Sequence, residues 1–361
     1  MVRRALIWGT CFAALCVIVR GYVLRDPDSM LYEWIARTLE SRPLREWIAP
    51  RFPVGWPTQQ GLFQEHFACF FWPAAALGKL GLRGALAANF LWVLLSYALL
   101  YRLARALSGV ETAWLAVFFY AVSPVGLQYL VRANHEPALA CAVFGALWCI
   151  ADERARPLAL AGFVLLAVAI KGGLGLAVFP AALAAVWTGR RRRADLYGLL
   201  LGLGLAVAFV AAYEIAFERV AGHAFLAGYL DRQLPGVIEG ERLGPLHKLA
   251  TPAYYLGSIA WFALPGSAVL LFEWLRRRSL PPPTALAIAP AAAYVALLSL
   301  MSRRAVRYVF PAYALCNLAG AQLLIDRSQS LHGWIRTHTQ WLEPALATFV
   351  VVAAAARVAL R

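Results

Sequence analysis

Apolar residues along this chain come in long, nearly uninterrupted runs, with polar positions gathered into short clusters between them. The runs cover residues 5–22, 85–103, 113–127, 137–151, 158–170, 174–188, 196–215, 253–275, 285–301, 306–325 and 341–356. A bilayer crossing takes about 20 apolar residues of helix at about 1.5 Å rise each, so the pattern predicts an all-α polytopic membrane protein. A further run, 67–80, is short, holds Pro73 and carries Lys79 and Arg83 at its end, so it reads as a span or as a partly immersed segment. No small-residue cleavage site follows the first run, which is therefore read as a retained span rather than a signal peptide.

The cationic clusters choose between the two paths. With the N-terminus inside and 67–80 not crossing, Arg102 and Arg105, Arg154 and Arg156, the arginines at 190–193 and 276–278, and Arg327 and Arg336 all fall on the cytoplasmic side. Counting 67–80 as a span puts the same clusters outside, against the positive-inside rule. The expectation is thus about eleven transmembrane helices and one re-entrant or interfacial segment, forming a single domain over 1–361 with large outer loops at 25–83 and 217–252.

Composition excludes other classes. Of 361 residues, 61% are hydrophobic and 15% charged, against about 45–50% and about 25% in soluble domains, so a soluble enzyme, a disordered chain and a disulfide scaffold are ruled out. The net charge of +15, from 34 Lys+Arg and 19 Asp+Glu, would suggest nucleic acid in a soluble protein. Here it marks topology, and no nucleic-acid partner is expected. Cys11, Cys16, Cys69, Cys141, Cys149 and Cys316 mostly lie inside apolar runs without metal spacing and read as small buried hydrophobes.

The outer face receives the 25–83 loop, the corner Arg132-Ala133-Asn134-His135-Glu136, Lys171, the 217–252 loop, and Arg303, Arg304 and Arg307. Any one of these cations can be a snorkelling end residue. Five polar interruptions converging on one face point instead to function, because ionisable groups at membrane depth are costly. In the first loop Asp28 or Ser29 can cap a helix whose Leu31, Trp34, Ile35 and Leu39 form one apolar stripe, giving an interfacial amphipathic helix. Asp28 is then either only a cap or an acid available for chemistry.

Residues 42–61, rich in Pro, Trp and Gly, read as irregular surface structure. Asp26-Pro27-Asp28 has the form of a short acidic metal motif, and Glu65, His66 and His247 are the other metal candidates; two histidines without helical or hairpin spacing are more often ordinary polar residues. Gly172-Gly173-Leu174-Gly175 lacks a preceding strand, a lysine-serine ending and an acidic ribose partner, so it is not a nucleotide loop.

Five segments in order resemble the GT-C glycosyltransferases that use polyprenyl-phosphate sugars, in particular the aminoarabinose transferases of lipid A and the protein O-mannosyltransferases. Asp28-Ser29-Met30-Leu31-Tyr32 is similar to the opening of the family's first outer loop, with Ser29 where Glu is usual. Arg132 to Pro137 resembles the second outer corner, with Glu136 where an Asp is usual. Lys171-Gly172-Gly173-Leu174-Gly175-Leu176 followed by Pro180 resembles the segment at the lipid phosphate. His247-Lys248 through Tyr254-Tyr255 and then Leu264-Pro265-Gly266 resembles the entry to a later span, and Arg307-Tyr308-Val309-Phe310-Pro311 the late Arg-Tyr-x-x-Pro motif. The chain is short for that family and is expected to lack a sizeable soluble C-terminal domain.

The resemblance implies a GT-C-like fold with outer-face juxtamembrane helices, acting on a polyprenyl-phosphate sugar and a glycolipid, polysaccharide or protein acceptor. It also implies a bacterial inner membrane with the site facing the periplasm. The chemistry asks for a base on the acceptor hydroxyl and cations on the departing phosphate. Asp28 is the expected base of an inverting transfer. Lys171 and Arg307 are expected to hold the phosphate, with Tyr308, Arg132, Tyr32 and His247 nearby and Glu136 orienting acceptor or sugar. No cofactor is required, a divalent metal being the weaker alternative. The competing readings are a lipid or glycolipid flippase, which also places charges at broken helices, and a non-catalytic scaffold.

Overall fold

The computed structural model describes residues 2–51, 61–152, 156–189, 193–233, 245–277, 280–301 and 304–360, with the backbone alone at 245–249 and 277. Arg154, Arg278, Arg303 and the arginines at 190–192 lie outside the described residues. Among these the chain is helical, the only β pairing being an isolated antiparallel bridge between Arg51 and Leu62. The helices are α1 (Val2–Ile18), α2 (Pro27–Glu40), α3 (Trp72–Lys79), α4 (Gly84–Ser108), α5 (Val110–Val122), α6 (Pro124–Leu130), α7 (Glu136–Ala151) and α8 (Pro157–Lys171). They continue with α9 (Val178–Thr188), α10 (Arg193–Ala221), α11 (Phe225–Gln233), α12 (Pro245–Phe262), α13 (Gly266–Arg277), α14 (Pro282–Ser299), α15 (Phe310–Arg327) and α16 (Gln329–Ala359).

Six stretches among the described residues are long and apolar enough to cross a bilayer: Gly84–Ser108, Pro157–Thr188, Arg193–Ala221, Pro282–Ser299, Val306–Arg327 and Gln329–Ala359. Two bent pairs, α5 with α6 at 65° and α12 with α13 at 110°, bring the number to eight when each is one span. The eleven expected spans are therefore not all reached by length. Runs 5–22 and 137–151 form helices of only 17 and 16 residues, and 158–170 and 174–188 fall in one segment of 32 residues. Run 67–80 yields a 3-10 turn and the eight-residue α3, about 12 Å of helix, which is too short to cross.

Helix ends sort into two poles. At one, Asn89 near the start of α4 donates to the carbonyls of Tyr129 and Leu130 at 3.0 and 3.2 Å. Lys171 at the end of α8 meets Glu136 at the start of α7 there as well. At the other pole, Arg4 pairs with Glu343, Arg327 with Glu273, and Gln322 donates to Ser108. Ala185 and Gly189 of the α9 end line a cavity at this second pole with Ala151 and Asp152, shortly before Pro157. The segment 157–188 thus runs out to Lys171 and back. The break is the 3-10 turn Gly172–Ala177.

Helices α7 and α15 are buried almost all round, as expected of elements apolar on every face. Pro137 and Pro311 stand in their first turns, where the missing N–H costs nothing. Both begin at the pole that holds Lys171, so residues at their N-termini stand on the most enclosed elements of the fold.

Candidate functional site

The site is assembled from four chain segments: α2, the corner before α7, the end of α8, and the 3-10 turn Val306–Val309 before α15. Helix α2 is capped by Asp26, whose Oδ1 accepts the Ser29 N–H at 3.0 Å. The sequence suggested Asp28 or Ser29 as the cap. With Pro27 at the first helical position the cap falls one residue before it, and Asp28 is left with its carboxylate free to reach Arg307, with which it forms an ion pair. Ser29, fully buried, donates to the Ala133 carbonyl at 3.2 Å and so ties α2 to the corner.

The buried stripe of α2 is Leu31, Tyr32, Ile35, Ala36 and Leu39. Trp34, expected in it, is 37% exposed, because Tyr32 and Ala36 occupy the side of the stripe that faces the bundle. Glu33 pairs with Arg37 at 3.1 Å and Arg83 at 3.4 Å, and Arg83 also donates to the Val19 carbonyl. Helix α2 is thereby fixed to the ends of α1 and α4.

Lys171 Nζ lies 2.5 Å from Glu136 Oε1, and the two side chains are 4% and 0% exposed. Lys171 closes the last turn of α8 and Glu136 opens the first turn of α7, so each charge sits at the helix end whose dipole favours it. The chain leaves α8 through Gly172 at φ +55°, where an added Cβ would lie 2.4 Å from the Tyr229 hydroxyl. That hydroxyl accepts the Gly173 N–H at 2.7 Å. Tyr229, on α11, was not singled out in the sequence; nothing in its surroundings there marks it.

Tyr308 joins the two ion pairs. Lys171 Nζ stands 5.8 Å and Arg307 Cζ 5.9 Å from its ring centroid, within cation–π range. Arg132 is held to one side, 3.1 Å from Asp26 Oδ1 and 5.5 Å from the Tyr129 ring. Tyr32 meets His135 edge-on at 4.7 Å. The sequence candidates Asp28, Tyr32, Arg132, Glu136, Lys171, Arg307 and Tyr308 are thus brought to one pole. The side chain of His247 lies outside the described residues.

His135, named in the sequence only as part of the corner motif, is fully buried and stacks on Phe70 at 3.8 Å. It meets His66 at 4.4 Å, and neither of its ring nitrogens has a hydrogen-bond partner. Burial, His66 and the cations Lys171 and Arg307 push its pKa well below the usual value. Burial, with Lys171 and Arg307, lowers that of His66 to about 3. Both imidazoles are therefore neutral at physiological pH.

The metal candidates are not drawn together. Glu65 is 2.7 Å from Arg232, His66 turns to His135, and Asp26 and Asp28 pair with different arginines. Among the described residues no group of three or more His, Cys, Asp or Glu is arranged to hold a metal. A basic groove of about 610 Å³ lies between the 25–83 segment and the end of α10, lined by Arg42, Arg45, Glu46, Arg51, Arg219 and His223.

Residues 67–215 match the model of the family described as dolichyl-phosphate-mannose-protein mannosyltransferase, a stretch that includes Glu136 and Lys171 but not Asp28 or Arg307. The fold is similar to that of ArnT from Cupriavidus metallidurans bound to undecaprenyl phosphate, with a TM-score of 0.66 at 16% identity over 97% of this chain and 74% of that one. For the same protein in the apo state the TM-score is 0.60 at 19% identity, over 93% and 62%. No curated protein matches the sequence. The expected likeness is borne out at the level of the fold: the chain is a membrane protein whose fold is similar to that of ArnT and whose residues 67–215 resemble the O-mannosyltransferase family.

Proposed function

We propose that this chain is a membrane glycosyltransferase that moves a sugar from a polyprenyl-phosphate donor to an acceptor hydroxyl, with inversion, at the pole that holds Asp28. The observation that carries the reading is the pair of ion pairs, Asp28 with Arg307 and Glu136 with Lys171, meeting at the Tyr308 ring. Two cations serve one anionic leaving group, and one half-exposed carboxylate stands beside them. The donor class is supported by the undecaprenyl phosphate bound to ArnT and by the lipid-phosphate sugar in the family's description.

Asp28 and Glu136 divide the work by exposure. Asp28 is 27% exposed and can meet an acceptor, whereas Glu136 is sealed and holds Lys171 in place. The donor phosphate takes over the Arg307 guanidinium as a two-pronged partner. This releases Asp28 from its ion pair. The freed carboxylate removes the acceptor hydroxyl proton as that oxygen attacks the anomeric carbon; the bond from that carbon to the phosphate oxygen breaks, and the lipid phosphate departs carrying charge that Arg307 and Lys171 stabilise.

The two poles differ in charge, and the arginine-rich one is assigned to the cytoplasm by the positive-inside rule. The site then faces the periplasm of a bacterial inner membrane. The basic groove of Arg42, Arg45, Arg51 and Arg219 supplies acceptor contacts beside it.

The test is incubation of purified protein with radiolabelled polyprenyl-phosphate sugars, reading lipid phosphate release and label transfer to glycolipid, polysaccharide or protein acceptors. Turnover that disappears in Asp28→Asn protein is the expected result. Binding of the lipid with no release under any acceptor overturns the transferase reading.

A further inference from the structure

The pole opposite the site contains a cavity of about 1170 Å³ that is open at one side. Typical small-molecule pockets hold about 300–1,000 Å³, so this space suits part of a lipid better than a small metabolite. One face of α4 forms its floor. Leu94, Tyr97, Ala98, Tyr101, Arg102 and Arg105 recur at helical spacing and all line it, so an apolar and aromatic strip ends in two cations.

The charges at its mouth are unequally used. Glu343 is fully engaged, accepting from Arg4 at 3.1 Å and from the Trp8 indole at 2.9 Å. Arg102 lies over the Trp148 ring at 5.0 Å. Arg102 and Arg105 are exposed, and neither is ion-paired to a carboxylate among the described residues. Arg156 and Arg193 follow shortly after Asp152 and Gly189, two residues of the cavity wall. Basic pockets between transmembrane helices on the cytoplasmic side match anionic headgroups in both charge and depth.

We propose that this cavity binds one anionic phospholipid from the leaflet on the arginine-rich side, its phosphate seated at Arg102 and Arg105 and its acyl chains along Tyr97, Ala98 and Tyr101. The site is separate from the Asp28 pole and does not depend on the transferase reading. The aromatic strip recognises the chains, and the two guanidiniums recognise the headgroup charge. A zwitterionic lipid fits the strip and offers the same phosphate, but its headgroup cation offsets that charge and weakens its attraction to the two arginines.

The full-length protein in detergent is mixed with dioleoyl phosphatidylglycerol or dioleoyl phosphatidylcholine and followed by native mass spectrometry and thermal unfolding. The expected result is a one-to-one phosphatidylglycerol adduct favoured about tenfold over phosphatidylcholine, with a higher unfolding temperature. R102Q/R105Q brings the two lipids to parity, R102K/R105K keeps the preference, and A98W, with both charges intact, lowers the adduct. Circular dichroism confirms that each variant is folded. Equal adducts in the parent protein, a preference untouched by R102Q/R105Q, or an adduct untouched by A98W overturns the proposal. So does a protein dimer that R102Q/R105Q dissociates without any lipid adduct, since the face is then covered by a second copy.

Discussion

Lys171 and Glu136 face each other at 2.5 Å with almost no exposure, one at the end of α8 and the other at the start of α7. Breaking a buried pair from one side leaves an uncompensated charge, whereas removing both charges together is often tolerated. Lys171→Met and Glu136→Leu should therefore each lower stability by about 3–5 kcal/mol, and the double variant should recover most of that loss. Sugar transfer should stay absent in the double variant, because the phosphate has lost a cation. Thermal unfolding in detergent set beside a transfer assay checks both halves. Recovery of transfer together with stability would show Lys171 to be structural only.

Asp28 and Arg307 form the more open of the two pairs, only part-buried, and an ion pair with solvent access contributes less to stability than a sealed one. Asp28→Asn should leave insertion and unfolding temperature nearly unchanged while lowering the transfer rate about 10²–10⁴-fold, as for loss of a general base. The charge swap D28R/R307D should restore the pair but not the reaction. Expression, unfolding temperature and initial rate on the same preparation distinguish a lost base from a lost fold.

The neutral pair His66 and His135 makes the protein acid-sensitive. Their folded pKa values lie below the ordinary 6.5, about 3 for His66, through burial and the facing cations Lys171 and Arg307. The stabilisation they confer is complete above about pH 6.5 and drains away as pH falls toward 3. Unfolding temperature should be flat from pH 8 to about 7 and fall below about 6.5. His135→Phe, which keeps a ring against Phe70 and removes one proton acceptor, should flatten the acid limb. An unchanged profile in that variant would place the acid sensitivity elsewhere.

Gly172 allows the chain to turn at Lys171. A residue with a side chain there is strained at φ +55° and meets the Tyr229 hydroxyl. Gly172→Ala should cost about 1–3 kcal/mol from the positive-φ backbone alone, whose ψ is −131°, and more from the collision, with a falling transfer rate as Lys171 shifts. Gly173→Ala, where the nearest Tyr229 atom is 3.3 Å from the added Cβ, should be milder. The two variants compared in one unfolding series test whether the turn positions the lysine.

Much of this arrangement was legible before the structure. Asp28, Glu136, Lys171 and Arg307 interrupt apolar runs where a bilayer makes charge costly, and that penalty is written in local sequence. The true cap of α2 was not legible, since Asp26, Asp28 and Ser29 are all capping residue types and only the observed start of the helix chooses among them. Ser29 to Ala133 and Gly173 to Tyr229 are contacts across 104 and 56 residues, with no periodic trace in either segment. His135 looked like one polar residue in a corner; its isolation among Phe70, Tyr32 and His66 is a product of packing.

Span counting shows the same division. Hydropathy marks where helix is apolar, but it does not register a bend, so 253–275 was one run where the chain turns by 110° between α12 and α13. The runs 158–170 and 174–188 are the outward and returning arms of one segment, joined by a 3-10 turn that follows Lys171. The sequence by itself determined that the chain lies in a membrane, which of its ends gather arginine, and the order of its polar interruptions, because desolvation of charge and backbone acts residue by residue. Only the tertiary structure decided which carboxylate meets which cation, which of the two pairs is sealed from solvent, and that one tyrosine ring stands between them, because those relations depend on how distant helix ends are packed against one another.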